Sequence, residues 1–123
     1  MGPFHTIAII DDDPSVTSIF EFILKQVGYK TITAPNSKQG IQLFKNHSSI
    51  DVLFLDVKLP DIILADFIRD ILTLSEQTKI ILMYDYTSDY IPYEAYDSGA
   101  FATIFKPFDV EEVLNQIKKI IQH

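Results

Sequence analysis

The 123-residue chain contains no cysteine. There is therefore no disulfide framework and no thiolate metal site, which fits a reducing, cytoplasmic setting. Glycine is scarce, and none of it forms a glycine-rich phosphate loop. No apolar run approaches the ~20 residues needed to cross a bilayer, so no membrane role is expected. The start, Met1-Gly2-Pro3-Phe4, lacks the basic and apolar regions of a secretory signal. Basic residues are outnumbered, and the net charge of −7 argues against direct nucleic-acid binding. His5, His47 and His123 are scattered and are not read as metal ligands. With 47% hydrophobic and 22% charged residues, the composition is globular. The length suits one domain, residues 1–123 with a core over about 5–121. The chain ends soon after its last helical pattern, which fits a free-standing module or one cut from a longer protein.

Asp51–Pro60, DVLFLDVKLP, has the character of a buried strand: Val52-Leu53-Phe54-Leu55 runs straight into Asp56. Pro60 has no amide hydrogen and ends it. His5–Ile10 forms a similar strand, closed by Asp11-Asp12-Asp13-Pro14. Asp13 caps the following helix with Pro14 at its first position, and Gly28 stops it. Val16, Ile19, Phe20, Ile23, Leu24 and Val27 give that helix its apolar face. A weaker strand, Tyr29–Ala34, precedes a helix capped by Asn36 or Ser37 and ending near Asn46, with Ile41 and Phe44 inward.

After Pro60 the spacing predicts a helix from about Ile63 to Leu74, with Phe67, Ile71 and Leu74 on one face. Thr78–Met83 and Phe101–Phe105 are the fourth and fifth strands. Between them lies a tyrosine-rich stretch with a short helix from about Asp89 to Gly99, placed so that Pro92 falls in its first turn. Tyr90 or Tyr93 is expected to be more exposed than Tyr84, as partner contacts or as partly buried rings. Asp109 opens a last helix with Glu112 three residues on, and Val110, Val113, Leu114, Ile117 and Ile121 form its stripe. Alternating strands and helices imply βαβ units and a parallel sheet covered on both sides.

In such a sheet the strand C-terminal ends share one edge. Asp11 and Asp12 follow the first strand, Asp56 ends the third, and Lys106 follows the fifth. If the first and third strands are neighbours, three carboxylates converge. Carboxylates that close need a proton or a cation between them. Hard oxygen ligands with an open face suit Mg²⁺, and a lysine opposite can neutralise a phosphoryl group. A carboxylate beside both is equipped to become an aspartyl phosphate.

Together Asp11-Asp12, Asp56-Val57-Lys58-Leu59-Pro60, Gly99-Ala100 and Lys106-Pro107-Phe108 resemble the receiver domain of two-component response regulators. The resemblance implies a flavodoxin-like (βα)5 doubly wound fold with strand order 2-1-3-4-5; periodicity alone does not supply that order. It implies that Asp56 accepts a phosphoryl group from a sensor histidine kinase or phosphotransfer protein, and that Asp11, Asp12, Asp56 and the Lys58 backbone carbonyl hold Mg²⁺. It implies that Lys106 pairs with the phosphoryl group and that the Lys106–Pro107 bond is cis. Homodimerisation or output through the fourth helix–fifth strand–fifth helix face is a further implication. The domain would phosphorylate and dephosphorylate itself and turn over no external metabolite.

Several positions depart from that pattern. Tyr84 stands where Thr or Ser is usual, and Thr103 where an aromatic is usual, so both switch positions are atypical. The expectation is that Tyr84 fills the aromatic's space and that the coupling is reversed or lost. Leu64 replaces a loop glycine, which predicts a different loop path. Asp85 replaces a small residue and adds negative charge beside the site. The Lys58 side chain is expected to be exposed, near enough to a phosphoryl group to alter its hydrolysis. These departures favour an alternative, a phosphorylation-independent interaction domain; the filled Asp11, Asp12, Asp56 and Lys106 positions oppose it. A Mg²⁺-dependent hydrolase fits less well, because no second acid follows two residues after Asp56.

Overall fold

The computed structural model describes residues 5–60, 62–88 and 93–121, with residues 93 and 94 described by backbone alone. Five strands, β1 (Thr6–Ile10), β2 (Lys30–Ala34), β3 (Val52–Asp56), β4 (Lys79–Asp85) and β5 (Ala100–Lys106), pair in parallel in the order β2-β1-β3-β4-β5. Between and after them lie α1 (Pro14–Gln26), α2 (Ser37–Asn46), α3 (Leu64–Leu74), α4 (Tyr93–Asp97) and α5 (Val110–Ile121).

The apolar runs alternate between two cores, because successive strand residues point to opposite faces. Ala8, Ile10, Leu53, Leu55, Ile80 and Leu82 pack with Phe44 of α2 and with Phe67, Ile68 and Ile71 of α3. On the other face Ile7, Ile9, Val52, Phe54, Ile81, Met83 and Ile104 pack with Phe20, Ile23 and Leu24 of α1 and with Val113 and Ile117 of α5. Phe20 sits against Phe54, ring centroids 4.7 Å apart. Burying a side chain of this size contributes roughly 1.5–3 kcal/mol. The two layers thereby fix the sheet edge from which the site is built.

The helix termini follow their capping residues. Asp13 Oδ1 accepts from the Ser15 amide at 2.9 Å, and Asn36 Oδ1 from the Gln39 amide at 2.8 Å. At the end of α1 the Tyr29 amide reaches Leu24 O and the Gly28 amide reaches Lys25 O, with Gly28 at φ +87°. This is a Schellman turn, which a left-handed glycine permits. The Asp109 carboxylate accepts from the Glu112 amide at 2.9 Å.

Some expectations need correction. Ile19, Val27, Leu74 and Val110, placed on buried faces, are 51%, 47%, 43% and 48% exposed. Ile19 lies about 100° around α1 from Phe20, at the margin of its stripe. Val27 is the C-cap of α1, while Leu74 and Val110 are terminal helix residues that only part of a neighbouring layer can cover. β4 runs two residues beyond Met83, so Tyr84 and Asp85 are strand residues. Leu64 is the first residue of α3 and packs against the core on that side. The expected start of the fourth helix, at Asp89 with Tyr90 and Pro92, and the Tyr93 side chain lie outside the described residues.

Gly99 precedes β5 at φ +118°, and a Cβ there would lie 2.4 Å from Leu72 Cδ1. Gly28 has open space around the same atom. Gly99→Ala should therefore lose about 1–2 kcal/mol in urea unfolding, and Gly28→Ala less. An equal or larger loss at Gly28 would contradict this packing.

Candidate functional site

Register brings the charges together. Ile10 pairs with Leu55, so Asp11 and Asp56 each stand one residue beyond that pair. Asp56 pairs with Met83, and Asp85 pairs with Lys106. The result is a cleft of about 250 Å³ lined by Asp11, Asp12, Asp13, Asp56, Lys58, Asp85 and Lys106.

Asp11 and Asp56 are buried, 1% and 5% exposed, whereas Asp12 is exposed. Lys106 Nζ donates to Asp11 Oδ2 at 2.7 Å and stands 3.9 Å from Asp56 Oδ1. The other Asp11 oxygen accepts from the Asp13 amide at 2.9 Å. Asp56 Oδ1 accepts from the Lys58 amide at 3.0 Å, which fixes the carboxylate orientation. Burial pushes the Asp56 carboxyl up to about 6; the Lys58 amide and Lys106 pull it down, and Asp11 and Asp12 push it further up. Asp56 is thus a desolvated carboxylate whose charge is only partly offset. The Lys106–Pro107 peptide is cis.

One carboxylate oxygen from each of Asp11, Asp12 and Asp56 lies within 4.8 Å of the others. Three hard oxygens in that space, without sulfur or imidazole, fit a small divalent cation such as Mg²⁺. Asp13 lines the cleft, but its Oδ1 takes the Ser15 amide and hydroxyl, so it serves α1 as a cap.

The Tyr84 ring lies edge-on against Phe105, centroids 5.0 Å apart at 85°, and Tyr84 is not among the residues lining the cleft. Thr103 sits opposite Leu82, two pairs before Tyr84–Phe105. The aromatic partner of Tyr84 is therefore its cross-strand neighbour. Asp85 lines the cleft, and Thr87, which sequence reasoning missed, holds it. The Thr87 hydroxyl and amide donate to Asp85 Oδ1 at 2.5 and 2.9 Å. The Thr87 hydroxyl, its amide, Lys58 and Lys106 keep Asp85 below the ordinary carboxylate range. The signal was present as Asp-Tyr-Thr, since Asp side chains bond backbone two residues on.

Fold and site together define a doubly wound α/β protein with an acidic, cation-ready pocket at the carboxyl edge of its sheet. The profile of the response regulator receiver domain matches residues 7–118. The chain is 27% identical to chemotaxis protein CheY of Bacillus subtilis (strain 168), covering 95% of this chain and 98% of that protein. It is 27% identical to regulatory protein AtoC of Escherichia coli (strain K12), where it spans all of this chain but 28% of the relative. A CheY-like receiver domain from Methanospirillum hungatei JF-1 superposes with a TM-score of 0.86 at 26% identity, covering 95% of this chain and 93% of that one. The chain belongs to the response regulator receiver domain family and is a two-component phosphorelay receiver. Receivers are signalling domains that bind Mg²⁺ through acidic residues and interact with histidine kinases or phosphotransfer proteins.

A folded pKa raised above the unfolded value contributes stability below the unfolded value, and that stability is lost as pH rises through the folded one. Without divalent cations, charging Asp56 should therefore destabilise the protein between about pH 4 and 7. Asp56→Asn should match wild type near pH 4 in EDTA and exceed it by on the order of 1 kcal/mol at pH 7.5, after discounting for solvent at the mouth. Thermal unfolding across that range checks this, and a gap independent of pH would contradict it.

Proposed function

We propose that Asp56 is the phosphoacceptor of a receiver domain spanning residues 5–121, and that Asp11, Asp12, Asp56 and the Lys58 carbonyl hold Mg²⁺. The observation that carries this is the convergence of Asp11, Asp12 and Asp56 opposite Lys106. An Asp56 carboxylate oxygen forms a bond to phosphorus as the phosphorus–nitrogen bond of a donor phosphohistidine breaks. The bonding pair leaves with the imidazole nitrogen. The Lys58 amide keeps Asp56 oriented during approach. Lys106, bound to Asp11 and 3.9 Å from Asp56, has a short distance to travel to a phosphoryl oxygen. Bound Mg²⁺ would supply neutralisation of the transferring phosphoryl oxygens.

The donor is a sensor histidine kinase or phosphotransfer protein, encountered in the cytoplasm. No helix among the described residues is long and apolar enough to cross a membrane. The domain's own chemistry is limited to taking up and slowly hydrolysing the phosphoryl group. Tyr96, Phe101 and Phe105 are 42%, 44% and 40% exposed on α4 and β5. That surface, continued by α5, is assigned to a second copy or an output partner. Because Tyr84 packs on Phe105, output is assigned to movement of that ring pair in place of the usual hydroxyl-to-aromatic relay.

Incubation with acetyl phosphate and Mg²⁺ should yield one phosphate adduct by intact-mass spectrometry. Asp56→Asn and EDTA should abolish it, and Lys106→Met should slow it at least tenfold. An adduct that persists in Asp56→Asn would place the acceptor elsewhere.

A further inference from the structure

Lys58 and Asp85 come from separate segments at the sheet edge yet meet at the acidic cleft. The Lys58 ammonium donates to the Thr87 hydroxyl and stands 3.7 Å from Asp85 Oδ1. Thr87 binds that same oxygen with its hydroxyl and its amide. The side chains are part-exposed, 47% for Lys58 and 26% for Asp85, so the bridge adds little to folding stability. The transfer step above uses neither side chain. Its consequence lies in the charge of the cleft, which five carboxylates and two lysines line.

Asp85 adds an anion where an anionic phosphodonor must enter. Left bare, it would draw a divalent cation in and push a phosphodonor away. We propose that Lys58 and Asp85 are a matched pair of positioning residues: Asp85 and Thr87 hold the ammonium at the cleft, and the ammonium masks Asp85 from the incoming phosphoryl group. This rests on Asp56 being the phosphoacceptor. Such a pair acts with opposite sign on cation and anion. A merely structural bridge would weaken both when broken.

The test is a double-mutant cycle in the full chain with Lys58→Met, Asp85→Asn and both together. Two readouts are taken: Mg²⁺ affinity by calorimetry with the metal alone, and the rate of labelling by acetyl phosphate at saturating Mg²⁺. Lys58→Met should bind Mg²⁺ about fivefold more tightly yet label about fivefold more slowly, as expected for one unmasked charge at short range in a solvated cleft. Adding Asp85→Asn should reverse both changes. Changes of the same sign in Lys58→Met, or a double variant that keeps either change, overturn the pair. If wild type takes up no phosphate, the phosphoacceptor reading fails. The Mg²⁺ arm still decides the pair: an unchanged or weakened affinity in Lys58→Met overturns it.

Discussion

Burying Asp11 and Asp56 beside Asp12 is electrostatically unfavourable, and the carboxyl edge of the sheet is organised by how that strain is relieved. Lys106 neutralises Asp11 directly and reaches Asp56 only at 3.9 Å. Asp56 remains desolvated with its carboxyl raised to about 6. The two hydrophobic layers hold it there, since Phe54 and Leu55 immediately before it are fully buried. Core packing thus pins a carboxylate in a state that a cation or a phosphoryl group would relieve. That links the strand pattern to the chemistry: the apolar run makes the strand central, and centrality brings Asp56 beside Asp11.

Much of this was readable in the residue pattern because parallel sheets collect strand ends at one edge. Asp11, Asp12, Asp56 and Lys106 are each fixed by the end of a strongly apolar run, so small boundary errors did not move them. Stripe margins were less readable. Ile19, Val27, Leu74 and Val110 fit helical spacing, but spacing does not say where a neighbouring layer stops. The end of β4 was least readable. Tyr84 and Asp85 extend the strand because β5 offers backbone partners to Lys106, a long-range pairing that no local propensity encodes. For Thr87 the bond to Asp85 is local, whereas its contact with Lys58, 29 residues away in sequence, has no local signal.

The departures from the receiver pattern now have places in space. Tyr84 and Phe105 form an aromatic pair across the sheet's last two strands, two residues along β5 from Thr103. Leu64 starts α3 and joins the core where a loop glycine would have left the backbone free. Both changes place apolar contacts on elements next to the cleft. The acidic cluster itself is untouched by them. The acidic cluster and these two departures are therefore built from separate residues.

The central claim is that Asp56 is a strained carboxylate awaiting a cation. Calorimetric Mg²⁺ titration in buffers of different ionisation enthalpy measures the protons released on binding. Near pH 6 about half a proton should leave per Mg²⁺ bound, falling to almost none near pH 8, because Asp56 is about half protonated at the lower pH. Binding with no proton release at either pH, or no Mg²⁺ binding at all, would contradict the account.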